Sequence, residues 1–274
     1  MCTVSFVPKQ EGFYLAMNRD EKRTRVTALR PTIIDLAERR VVLPREPAGG
    51  SWIAANDRGI CLALINWYRI AREPAGAIIS RGEVVRALAG TSSIDQIAGG
   101  LAALKLRQLR PFRLIASVPS EKTLAEWRWN LERLSVRRHP WQPHHWFSSG
   151  FDEPRAEFER RRVCSSDQDG HPARSLAWLR RLHRSHAPAR GPFSVCMHRR
   201  DAATVSYTEI AVSDRRLLMR YKSGPPCSAA PTVTKSLPIC RCVPRTSTSE
   251  SRARRDHRDP PPARLSRNRS RRGG

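Results

Sequence analysis

Cys2, the second residue of a chain that opens MCTVSFVPKQ, is a candidate nucleophile. It is small enough for the usual aminopeptidase to remove Met1, and removal leaves a thiol and a free α-amine on one residue. An α-amine with a pKa of about 7.7 to 8.0 is partly neutral under physiological conditions, so it can take the thiol proton and make Cys2 a nucleophile with its own base. The run Asn18-Arg19-Asp20-Glu21 supplies matching partners. A cation near a thiol lowers its pKa, a role for Arg19, and a carboxylate can hold the amine, a role for Asp20. An oxyanion hole needs a backbone N–H and a side-chain amide, for which Asn66 is the candidate. Asn18 and Glu21 are candidate lining residues. A short charged run is also a common solvated turn, so the motif alone has low specificity.

The elements around these residues must bring them together. Cys2 to Val7 and Phe13 to Asn18 read as strands joined by the loop Pro8 to Gly12. A loop centred near Gln10 pairs Cys2 with Asn18, so that Cys2 shares a face with Asn18 and Asp20; a slip of one residue sets Arg19 opposite instead. A second hairpin runs from Ser51 to Ala55, turns through Asn56-Asp57-Arg58-Gly59, and continues from Ile60 to Asn66. Ser80-x-x-Glu83 is a capping box that starts one helix, and another follows from Ser93. Phe112 to Val118 and Leu124 to Val136 read as strands. Asp152 caps a short helix through Arg162, and Ala173 to Arg184 is an amphipathic helix. Strand character returns over Phe193 to Met197, Val205 to Val212 and Leu217 to Tyr221. Hairpins dominate, which predicts an α+β fold of antiparallel sheets with flanking helices.

After Pro226 no apolar period survives. Cys227 to Gly274 is rich in Arg, Ser and Pro and reads as a disordered basic tail, whose abrupt loss of pattern also suits a shifted reading frame, leaving residues 1–226 as the folded domain. The tail carries +9 of the formal net charge of +25. The rest is dispersed arginine without a recognisable reading module, so no specific nucleic-acid partner is expected. Seven cysteines without a CxxC pair make neither a disulfide framework nor a zinc pattern, which suits a reducing cytoplasm. No secretory signal and no membrane-spanning apolar run is present. His139, His144 and His145 lack the spacing of a metal site. His183 and His186 lie three apart on a helix and could ligate haem or metal, but their arginine neighbours point to a solvated face. Cys240-Arg241-Cys242 is set aside with the tail. No metal or cofactor is expected, and Trp127, Trp129, Trp141 and Trp146 read as core or cleft wall.

Several ordered runs carry a family resemblance: MCTVSF, NRDE at Asn18 to Glu21, GGSWIAANDRGICLALIN at Gly49 to Asn66, RGE at Arg81 to Glu83, HHWFSSGFDEPR at His144 to Arg155, and FSVCMHRRDAATVSYTEI at Phe193 to Ile210. Together they resemble the bacterial branch of the NRDE family, also called the transport and Golgi organisation family, from Met1 to about Pro226. The resemblance implies an αββα Ntn-hydrolase-like sandwich similar to penicillin V acylase and the bile salt hydrolases. It implies Cys2 as nucleophile, Arg19 and Asp20 as its partners on the next strand, and Asn66 at the oxyanion hole. The acylases separate their Arg and Asp by two residues whereas here they adjoin, and Ser148 or Ser149 stands where they carry a second asparagine. Two functions follow as expectations. One is hydrolysis of a non-peptide C–N amide bond in a small-molecule or lipid-like substrate. The alternative is non-catalytic binding or trafficking of haem or lipid, a Golgi-organisation-type role on the same fold. Neither substrate nor oligomeric state is legible.

Overall fold

The first strand, β1 (Cys2–Pro8), alternates Cys2, Val4 and Phe6 on one face with Thr3, Ser5 and Val7 on the other, and both faces are buried. It pairs antiparallel with β2 (Phe13–Lys22), and Pro8 pairs with Phe13. The proline therefore belongs to the strand, and the loop shrinks to Lys9 through Gly12. That one residue decides the register: Cys2 faces Arg19 and Thr3 faces Asn18. The expected pairing of Cys2 with Asn18 is corrected to the alternative in which Arg19 stands opposite. Gly12 makes the tight return possible, with φ +87° and no room for a Cβ, which would sit 1.9 Å from the Val212 carbonyl oxygen.

The computed structural model describes residues 2–165 and 174–240, all within one unit, Met1–Arg241. Its other strands are β3 (Leu29–Leu36), β4 (Arg39–Arg45), β5 (Ile53–Asn56), β6 (Cys61–Asn66), β7 (Phe112–Val118), β8 (Thr123–Trp129), β9 (Leu134–His139), β10 (His144–Ser148), β11 (Ala202–Val212), β12 (Arg216–Lys222) and β13 (Thr232–Pro238). The helices are α1 (Gly82–Leu88), α2 (Ile94–Ala103), α3 (Glu153–Ser165) and α4 (Leu176–Arg184). One sheet has the order β10-β1-β2-β11-β12-β13 and the other β3-β4-β5-β6-β7-β8-β9, with antiparallel pairing throughout.

The sheets stack face to face. Val4, Phe6, Leu15 and Met17 of the first pack with Ile53, Ala63, Ile65 and Ile115 of the second. Val84, Leu88, Ile97 and Leu101 of α1 and α2 cover the outer face of the second sheet over Leu62, Leu64 and Leu114. Val163, Trp178, Leu179 and Leu182 of α3 and α4 cover the outer face of the first over Val7, Ala16 and Tyr207. The layers are thus helix, sheet, sheet, helix, the expected α+β sandwich. Strand β6 is buried on both sides, which is why it reads as the unbroken apolar run Cys61 to Ile65. Each fully buried Leu or Ile contributes about 2 kcal/mol.

Several local expectations are corrected. Leu124 to Val136 is two strands, because Asn130 Oδ1 accepts from the backbone N–H groups of Glu132 and Arg133 and folds the chain into a turn with Leu131 at φ +78°. Phe193 to Met197 is not a strand: Cys196 N–H donates to the Ser185 carbonyl rather than to a ladder. The hairpin of β3 and β4 went unread in the sequence. Ser80 does not cap α1 as Ser93 caps α2; its hydroxyl accepts from Gly82 N–H and its carbonyl from Glu83 N–H, one turn earlier. The boundary at Pro226 also moves. Thr232–Pro238 is the edge strand β13, paired along its length with β12, so the first part of the expected disordered tail is folded. The rest of that tail, residues 241–274, lies outside the described residues, as does Met1. No helix among the described residues is long and apolar enough to cross a membrane.

Candidate active site

Cys2 opens β1 with Arg19 directly opposite on β2 and Ser148 directly opposite on β10. Its thiol belongs to the face between the sheets, and the residue, 6% exposed, lines a cleft of about 420 Å³. Cys2, Arg19, Asp20, Glu21 and Asn66 all line this cleft. The guanidinium of Arg19 lies 4.1 Å from the ring centroid of Trp52 and donates to Glu46 Oε1 at 2.5 Å. Glu46 is shared with Arg25 at 2.6 Å, and Glu21 lies 3.8 Å from Arg19. Stacking and pairing fix the cation beside the thiol, where burial leaves its field weakly screened.

Asp20 follows Arg19 on β2 and so turns towards the helices. Its carboxylate meets Arg160 of α3 at 3.4 Å and accepts from Thr204 Oγ1 at 2.6 Å. Arg160 is wholly buried and also donates to Thr3 Oγ1 at 3.1 Å, tying α3 to the start of β1. Burial pushes the Asp20 carboxyl up, while Arg160 and Thr204 hold it back. Burial likewise pushes the Cys2 thiol up, opposed by a backbone N–H of Asp20 and by the charge of Arg19. A thiol raised in this way needs a base to become a nucleophile.

Across the cleft, Asn66 ends β6 and its Nδ2 donates to Tyr68 Oη at 2.7 Å. The wall beside it joins two sequence runs. Gly82 at the start of α1 packs so closely on Gly50 and Ser51 that a Cβ would lie 2.9 Å from the Gly50 Cα, and Ser51 N–H donates to the Gly82 carbonyl. This contact places Trp52 and Arg81 in the lining. Arg81 donates to the Pro111 carbonyl at 3.1 Å, and burial lowers its pKa. Trp52, Glu46 and Arg81 were not among the site residues expected from the sequence. Two of them stand in the quoted runs GGSW and RGE, which was the available signal.

Three of the expected lining residues sit elsewhere. Asn18 points into the helical layer, where its Nδ2 donates to the carbonyls of His183 and Val195 at 3.0 and 2.8 Å and its Oδ1 meets His183 Nδ1 at 3.0 Å. The register that puts Arg19 in the cleft requires this of Asn18. Ser148 is wholly buried opposite Cys2, outside the cleft lining. Ser149 closes a turn by donating to the Phe151 carbonyl at 2.6 Å. His139 meets the Trp146 ring edge-on and His144 lies tilted against it, and His139 meets Glu126 at 3.1 Å. His183 is buried with Nε2 2.9 Å from Ser5 Oγ, not on a solvated face.

A sequence model of the family described as Transport and Golgi organisation 2 matches residues 1–160. The chain belongs to that family. No curated protein matches it significantly. Among solved structures, a penicillin V acylase from Agrobacterium tumefaciens superposes with a TM-score of 0.54 at 11% identity, covering 87% of this chain and 86% of that one. A mutant of the conjugated bile acid hydrolase from Clostridium perfringens gives 0.50 at 10% identity, covering 87% and 92%. At such identities the likeness is one of fold, and it makes this member of the Transport and Golgi organisation 2 family an Ntn-hydrolase-like sandwich.

Proposed function

We propose that the protein is an N-terminal-cysteine amidohydrolase acting on a non-peptide C–N bond. The observation that carries this reading is the meeting of Cys2, Arg19, Asp20 and Asn66 on one cleft. With Met1 removed, the α-amine of Cys2 takes the thiol proton and the sulfur attacks the acyl carbon. The negative charge that develops on the acyl oxygen is met by Asn66 Nδ2, which turns from Tyr68 to donate to it. The C–N bond then breaks, the ammonium of Cys2 returns the proton to the departing amine, and a thioester remains. Water, deprotonated by the same amine, cleaves the thioester and restores the thiol. Arg19 favours the thiolate by charge, and Asp20 holds the ammonium while Arg160 and Thr204 fix its own position.

The cleft suits a small molecule with both an apolar and an anionic part. Trp52, Leu64 and Ile79 supply apolar wall, and Arg25, Arg81 and Arg110 rim it. Changing Cys2→Ala is expected to abolish hydrolysis of acyl-amide substrates, as is a variant that retains Met1. Turnover that survives both changes overturns the mechanism.

The competing reading is a protein that binds or carries haem or lipid without reaction. It draws support from the engagement of both would-be catalytic donors, Arg19 with Glu46 and Asn66 with Tyr68. Intact-mass measurement separates the two: a free N-terminal Cys2 is expected for the hydrolase and a retained Met1 for the carrier.

A further inference from the structure

At the far side of Thr204 from the cleft, four residues from three separate segments converge. His186 follows the end of α4, Cys196 and His198 precede β11, and Cys227 lies in the loop between β12 and β13. Their ligand atoms all lie within 4.8 Å of one another. His186 Nε2 is 3.2 Å from His198 Nε2, and the sulfurs of Cys196 and Cys227 are each 3.5 Å from His198 Nε2. Zinc held tetrahedrally at about 2.3 Å from sulfur and about 2.05 Å from nitrogen sets its ligands roughly 3.3 Å apart for two nitrogens and roughly 3.5 Å for nitrogen and sulfur. The three separations to His198 Nε2 match both, and the remaining pairs lie within 4.8 Å. We propose that His186, Cys196, His198 and Cys227 form a structural Cys₂His₂ site for a tetrahedral divalent ion, zinc by its ligand softness.

The backbone around the cluster is already set for such a site. Cys196 N–H donates to the Ser185 carbonyl at 3.0 Å, His198 N–H to the Gly191 carbonyl at 3.1 Å, and Ser228 N–H to the Pro225 carbonyl at 3.0 Å, so each contributing segment is held by a bond of its own. Both thiols are free. Cys196 is buried, and the other three are half-buried at the entrance, which gives an ion a way in. Four protein ligands leave no open position, so the ion is a staple rather than a Lewis acid. It joins the loop after α4 to the loop before β13. It also fixes Met197, whose N–H donates to Thr204 Oγ1 at 2.9 Å, and Thr204 in turn supports Asp20. The sequence hides the site because the ligands are not paired at regular spacing and one belongs to the segment read as tail.

The test uses the full chain, kept reduced, stripped with a chelator and titrated with Co²⁺ and then Zn²⁺. One cobalt per chain is expected, with the intense visible absorption of a tetrahedral site and a near-ultraviolet thiolate-to-cobalt charge-transfer band, both lost as zinc displaces it. Zinc should also shield Cys227 from alkylation, read by mass spectrometry, and raise the unfolding temperature. Cys227→Ser should weaken binding by more than the roughly 10- to 100-fold that loss of an outer-shell partner costs. Its circular dichroism reports whether the fold persists, and His186→Gln is the second variant if it does not. Weak octahedral cobalt absorption, unchanged affinity in both variants, or a Cys196–Cys227 disulfide in the freshly isolated chain each overturns the proposal.

Discussion

Arg19 stands opposite Cys2 with its guanidinium stacked on Trp52, and it is one of the groups that oppose the effect of burial on the thiol. Removing the charge while keeping the apolar stem should leave that effect less opposed. Arg19→Met is expected to slow alkylation of Cys2 by a small haloacetamide at neutral pH and to move the pH–rate profile to higher pH. An unchanged profile would show that Arg19 does not act on the thiol. The residue types were legible in the sequence; their facing was not. Asn18 and Arg19 are equally polar neighbours in one strand, and only the inclusion of Pro8 in β1 decides which of them meets Cys2 and which meets His183.

Strand β13 carries the correction that matters most among the elements. Leu237 is fully buried in the core between the sheets, and beyond it Cys240 N–H donates to the Asp57 carbonyl while Arg58 donates back to the Cys240 carbonyl. The turn Asn56-Asp57-Arg58-Gly59, legible as a hairpin turn, thus also anchors the end of the described chain. Its Asn56 side chain reaches the carbonyls of Ala89 and Thr91 between α1 and α2. Relative to a chain ended after Cys240, one ended after Ala230, which keeps Cys227, loses the buried Leu237 and a whole ladder, about 3 kcal/mol or more. That is a fall of roughly 6 to 12 °C in thermal midpoint, measured by calorimetry. Equal midpoints for the two truncations would mean that β13 adds nothing. The sequence could not show this strand, because Thr-Val-Thr-Lys-Ser-Leu has apolar residues only at Val233 and Leu237, too few to stand out beside a basic tail.

At the scale of the whole molecule, the layers enclose ionisable groups that no local pattern marks. His183 on α4 is fully buried beneath β1 and β2, and burial pushes its pKa from the ordinary 6.5 to about 3. The folded chain therefore binds this proton less readily than the unfolded chain. The stability it contributes is full above about pH 6.5 and is lost as the pH falls towards about 3. Near pH 5 the loss from this one residue is about 2 kcal/mol, and His183→Gln should flatten the fall in urea midpoint between about pH 7 and 5. A variant with the same acid sensitivity as the parent would assign the effect to other groups. The sequence by itself determined the β1–β2 and β5–β6 hairpins, the helices, the family and the short list of Cys2, Arg19, Asp20 and Asn66, because period, turn chemistry and motif are local properties. Only the tertiary structure decided which face each of them takes, what encloses His183, and which distant cysteines and histidines meet. Strand register and layer packing arise from contacts between segments far apart in the chain, and no local pattern encodes them.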